Sequence, residues 1–141
     1  MKRGTAIVAV APLLLVLVAM GIAVASRAEA EQRESLETTF AGLPQPIDSG
    51  MSSSEHTSRH IVGQYATTQS ADEIMRFFDR ELVARAWQTS TATWIEGDLV
   101  LKCFASHDGR LTLQLAAIAV RRAPSFAYRL DLSPGPCSAK S

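Results

Sequence analysis

The chain is 141 residues long, with 14 basic and 14 acidic side chains, a hydrophobic fraction of 47% and 20% charged residues. These figures leave room for one domain and little more. They exclude a disordered polyampholyte, a collagen-like repeat and a strongly basic nucleic-acid binder, and two cysteines exclude a disulfide-dense mini-protein. The zero net charge averages two unlike parts: residues 5–25 hold 18 apolar residues of 21 and no charge, whereas residues 27–141 carry 12 basic and 14 acidic groups, a net charge of −2.

The apolar run from Thr5 to Ala25 is long enough to cross a bilayer, since 21 helical residues at about 1.5 Å each span roughly 30 Å. Pro12 and Gly21 are both tolerated in such helices. Lys2 and Arg3 precede the run, and Arg27 and Arg33 after it are outnumbered by Glu29, Glu31, Glu34 and Glu37. The positive-inside rule therefore predicts a cytoplasmic N-terminus and an outer C-terminal part. Residues 1–26 read either as a transmembrane anchor or as a signal peptide cut after Ala28-Glu29-Ala30, a small-x-small site. The length of the run exceeds a usual signal core and favours the anchor.

Residues 27–42 are rich in Ala, Glu, Gln and Arg and predict a solvated helical stalk, with no apolar heptads for a coiled coil. It should stop near Gly42, ahead of Pro44 and Pro46. Residues 43–58 read as an irregular Pro/Ser/Gly-rich linker, in which Leu43-Pro-Gln-Pro46 can dock on the domain in extended form and Ser52-Ser53-Ser54 are spacer residues without an activating base.

The folded part is expected over 59–133. Residues 59–68 are rich in β-branched and aromatic types and predict a strand. Ser70 and Glu73 form a capping box for a helix whose apolar stripe is Ile74, Phe77, Phe78, Leu82 and Ala86. Period-two patterns follow at 89–95, 99–106, 111–115 and 126–132, with turns at Glu96-Gly97-Asp98, His107-Asp108-Gly109 and Arg121–Ser125, and Ala116–Val120 breaks the alternation as if buried on both sides. Residues 134–141 read as a tail. The expected class is α+β: an N-terminal transmembrane helix, then a two-layer domain of one helix on a five-stranded, mostly antiparallel sheet in the order β-α-β-β-β-β.

Cys103 and Cys137 are the only cysteines. In an exported domain they can form a disulfide closing a loop of about 35 residues, the alternative being one buried and one exposed free thiol. His56 and His60 would make a metal pair only on a helix, and no zinc, phosphate-binding or nucleophile-elbow motif occurs. No metal or cofactor is expected. His107-Asp108 is a turn first and a hydrolytic pair only with a distant serine. Arg121, Arg122 and Arg129 form a scattered basic face.

From Gln64-Tyr65-Ala-Thr-Thr-Gln-Ser70 through Phe77-Phe78 and Leu82 to Ala86-Trp87, the chain resembles small, mostly uncharacterised, membrane-anchored or secreted bacterial domains. In these a Tyr-x-Thr strand leads into a Ser-x-x-Glu helix with an aromatic pair and ends in Gly-Trp. Ala86 stands here where that pattern has glycine. The resemblance implies fold and location, places Tyr65 and Trp87 in the core and carries no catalytic residues. The expectation is a non-catalytic extracytoplasmic domain that meets an envelope protein or a cell-wall component and no nucleic acid. The alternatives are a small envelope hydrolase and a secreted domain released by cleavage.

Overall fold

The computed structural model describes residues 10–120 and 126–137. The turn at 121–125, with Arg121 and Arg122, lies outside the described residues, as do 1–9 and 138–141.

Helix α1 runs without a break from Val10 to Ala41. Its apolar window is entirely exposed and long enough to cross a membrane. Its last turns behave in the opposite way. Leu36 and Phe40, four residues apart on one face, are buried at 0% and 7% exposure. The stretch expected to be a solvated stalk therefore ends as part of the core. Arg33 and Glu37 pair on its wet side at 3.0 Å. The Gly42 N–H closes the helix on the Thr38 and Thr39 carbonyls, and Leu43, Pro44 and Pro46 are buried beneath it. The phenol of Tyr128 donates to Gln45 Oε1 at 2.6 Å, which pins this turn to the domain.

The expected linker also departs from irregularity. Gly50–His56 is strand β1, paired antiparallel with β2 (Ile61–Ala66). Every residue of β1 is exposed, so no alternation of apolar and polar side chains marks it, and its pairing with β2 defines it. Helix α2 (Ala71–Ala84) has the predicted reciprocal capping box between Ser70 and Glu73. It buries Ile74, Met75, Phe78 and Leu82. Phe77 is only half-buried, edge-on to Phe78 and with the Arg80 guanidinium 5.9 Å from its ring centre.

The end of α2 explains the alanine at position 86. Trp87 N–H reaches the Leu82 carbonyl and Ala86 N–H the Val83 carbonyl, at 3.0 and 3.1 Å. These are the two bonds of a Schellman cap, whose central residue must be left-handed. Ala86 accordingly has φ of 63°. Trp87 then packs against the core. The turn is the one glycine would make, with a methyl group in a region that L-residues disfavour.

The remaining strands are β3 (Gln88–Thr89), β4 (Trp94–Glu96), β5 (Leu99–Ala105), β6 (Leu111–Ile118) and β7 (Tyr128–Pro134). The sheet order is β1-β2-β7-β6-β5-β3, with β4 also on β5, and every pairing is antiparallel. The α+β class stands. The sheet has seven strands rather than five because β1 joins it and the predicted 89–95 strand is two short pieces along one edge of β5.

One face of the sheet carries Ile61, Tyr65, Phe104, Leu113, Leu115, Tyr128, Leu130 and Leu132, all in the core cluster with α2 and the end of α1. Two helical segments cover this face where one was expected. Gly63 makes the fit: a Cβ there would lie 2.8 Å from Phe40 Cζ and 2.8 Å from the Tyr65 ring. The Tyr65 and Tyr128 rings stack at 4.9 Å, and burial pushes both phenols above their ordinary pKa. On the other face Leu101 and Cys103 are buried outside that cluster. There Cys103 is bonded to Cys137, with Cα atoms 6.2 Å apart, so the chain beyond β7 is tied back onto the sheet.

Candidate functional site: a cleft between the long helix and the sheet

The chain direction decides what meets what. As α1 leaves its apolar part it runs along the sheet, β1 returns antiparallel to β2, and α2 comes back to end at Arg85. The β1–β2 turn, the β5–β6 turn and the end of β7 are thereby gathered beside residues 28–32 of α1. Two neighbouring clefts mark the place. One is roughly 340 Å³ and lies between Glu29 and Gln32 on α1 and Ser58, Arg59, Ser133 and Pro134. The other is roughly 690 Å³ and lies between Ala28, Glu31, Gln32 and Ser35 on α1 and Arg85, Trp87, His107, Asp108 and Arg110.

Each side chain is held there by local structure. The 106–110 hairpin turns through Gly109 at φ 71°. Ser106 Oγ donates to Asp108 Oδ1 at 2.7 Å and accepts the Leu111 N–H at 3.0 Å, and the Arg110 N–H donates to the same carboxylate at 3.1 Å. The Ser106 hydroxyl and the Arg110 N–H hold the Asp108 carboxyl below its ordinary pKa. Arg85 Nη1 donates to both the carbonyl and the carboxylate of Glu81, each at 2.8 Å, which lowers the Glu81 pKa. The 57–60 turn is closed by Thr57, whose N–H reaches the His60 carbonyl at 2.9 Å and whose Oγ1 accepts the N–H groups of Arg59 and His60. Arg59 and Arg110 are left projecting, exposed to solvent.

The residues singled out in the sequence fall in several places. His107 and Asp108 line the larger cleft, but the contacts of Asp108 are those of a turn. Ser52 and Ser53 lie on β1 and donate to the Gln64 carbonyl and side chain at 3.0 and 3.1 Å. His56 stands edge-on to Phe40, ring centres 6.2 Å apart. His60 Nε2 is 4.0 Å from Glu55 Oε1 on the face away from the helices. Nearby, burial raises the Asp131 pKa against the pull of His60 and Arg129. Among the described residues no group of three or more His, Cys, Asp or Glu is placed to hold a metal.

The cleft itself left no mark in the sequence. The walls of the two clefts come from five separate segments, on α1 and around residues 58–59, 85–87, 106–111 and 133–134, and Arg59, Arg85 and Arg110 carry no motif. The one available signal was the Leu36, Phe40, Leu43 spacing, which puts an apolar edge on the end of α1 and thus brings that helix against the sheet. Comparison with protein-family models, curated proteins and solved structures found no match.

Proposed function

We propose that this chain is a single-pass membrane protein, N-terminus in the cytoplasm, that holds a small non-catalytic binding domain outside the cytoplasmic membrane for an envelope protein or a cell-wall component. The observation that carries the reading is the continuity of α1, whose exposed apolar part and buried end are one helix. An exposed apolar face of that length has no favourable environment in water. Lys2 and Arg3 ahead of it orient the N-terminus inward, and the Cys103–Cys137 bond suits an oxidising compartment. The resemblance to anchored or secreted bacterial domains points the same way.

For a protein partner the natural receptor is β1. Among the described residues it ends the strand order and pairs with β2 alone, and beyond the register shift between Met51 and Ser53 its outer row of backbone groups faces outward along the exposed Ser53–His56. Such an edge accepts an added strand. The test is a photo-crosslinker at Ser54 in intact cells. A discrete adduct that disappears when proline replaces Ser53 supports the reading. Retrieval of no partner, together with hydrolase activity in the purified protein, overturns it. Cell fractionation tests the anchor: a soluble product beginning near Glu31 would replace it with a cleaved signal. The enzyme reading has one observation in its favour, the presence of Ser106, His107 and Asp108 at one cleft. Loss of a measured hydrolase activity in Ser106→Ala would establish it.

A further inference from the structure

We propose that the end of the sheet carrying the 57–60 turn, the 106–110 hairpin and the end of β7 rests in the phospholipid headgroup layer, with Arg59 and Arg110 set against headgroup phosphates. The inference rests on the anchoring reading above and adds the height and orientation of the domain.

Depth along α1 sets the height of this rim. The apolar run ends at Ala25, and Arg27 is the first charge after it. Helix α1 continues unbroken to Ala41, so height above the hydrocarbon edge follows from residue count. At about 1.5 Å per residue, Ala28 and Glu29 lie roughly 5 Å beyond Ala25 and Gln32 roughly 10 Å. A bilayer about 40–45 Å thick over a hydrocarbon core of about 30 Å leaves some 5–8 Å of headgroups on each side. The residues that share cleft walls with Glu29 and Gln32 are Ser58, Arg59, Ser133 and Pro134, and those facing Ala28 and Glu31 include His107, Asp108 and Arg110. They therefore sit at or just above headgroup depth. A helix tilt of about 20° toward the sheet, the usual value, lowers a loop 10 Å to the side by about 4 Å more.

The chemistry of this rim fits the place. Arg59 is exposed, and the side chain of Arg110 is 85% exposed with only a 3.9 Å approach to Asp108. Arg27, 84% exposed, is 3.7 Å from Glu31. Arginines matched by Glu29, Glu31 and Asp108 present both signs of charge, as a phosphate–ammonium headgroup does. The contact is thus local pairing within the layer, not long-range attraction of a basic patch. The rigid join at Leu36 and Phe40 keeps the rim at this height instead of letting the domain swing on a tether.

The test uses the full chain in vesicles of phosphatidylethanolamine and phosphatidylglycerol, with a small fluorescent amino acid at position 58, 107 or 96 and a headgroup-attached nitroxide quencher. Position 96 lies at the other end of β5, about 20 Å farther out along the strand. The expected result is quenching at 58 and 107 at least twofold stronger than at 96, reduced by Arg59→Glu with Arg110→Glu. Equal quenching at all three positions, or none at 58 and 107 in protein that resists alkaline extraction, overturns the proposal and leaves the cleft to a protein ligand. Protein that is extracted by alkali overturns the anchoring reading itself.

Discussion

Replacing Phe40 by alanine separates a helix end that belongs to the core from one that is a stalk. Phe40 is 7% exposed and its ring lies over Gly63. Truncating a buried phenylalanine removes its transfer energy and leaves a cavity between helix and sheet, about 3–5 kcal/mol together. Leu36, at 0% exposure, should lose about 2–5 kcal/mol on truncation to alanine. A domain of this size has a total stability of about 5–15 kcal/mol, so either change removes a large part of it. The two residues touch the same cluster, and their losses should not add. The assay is pulse proteolysis in urea on the full chain in micelles, with Phe78→Ala as a core reference and the exposed Ser35→Ala as a surface control. Phe40→Ala should approach Phe78→Ala, while Ser35→Ala stays within about 0.5 kcal/mol of the parent. If Phe40→Ala also stays within that margin, α1 does not end in the core, and the proposed placement of the domain over the membrane fails with it.

Ala86→Gly should stabilise the domain by roughly 0.5–1 kcal/mol, because relief of the left-handed alanine exceeds the added chain entropy; a lower melting temperature would refute the Schellman cap. Gly63→Ala should destabilise by about 1–3 kcal/mol through its clash with the Phe40 and Tyr65 rings, and by less in a Phe40→Ala background, a difference that a double-mutant cycle in urea reads directly. Reducing Cys103–Cys137, which spans 34 positions, should lower stability by about 4 kcal/mol on the chain-entropy model; unchanged urea midpoints with and without reductant would contradict it. Asp48 accepts hydrogen bonds from the Thr68 and Thr67 hydroxyls and the Thr68 N–H, and its pKa is lowered to about 2. Its folded pKa is below the unfolded one, so its contribution is complete above about pH 4 and disappears as pH falls through 2. Carboxyl NMR should find that midpoint, and a value near 3.8 would remove the clamp that joins this loop to the 67–68 turn.

Local chemistry was legible wherever it acts over a few residues. The Ser70–Glu73 box starts α2, the glycines at 97 and 109 turn the hairpins, and alternation in 126–132 marks a strand with one buried face, whereas 99–105 forms a strand buried on both faces. The apolar run and its flanking charges likewise need no tertiary partner to be recognised. β1 was not legible, because an edge strand exposed on both faces is held by backbone bonds that any sequence of small polar residues can make. The last turns of α1 read as a stalk because three apolar residues among charges become core only when a sheet with a glycine at position 63 lies beside them. The cleft is a further step removed: it exists only where α1, the 106–110 hairpin and the end of α2 converge. The sequence by itself determined an exposed apolar helix and an α+β domain after it, since hydrophobic patterning and capping are local. Only the tertiary structure decided that the end of that helix is part of the domain's core and which loops face its base, since those depend on packing between segments far apart in the chain.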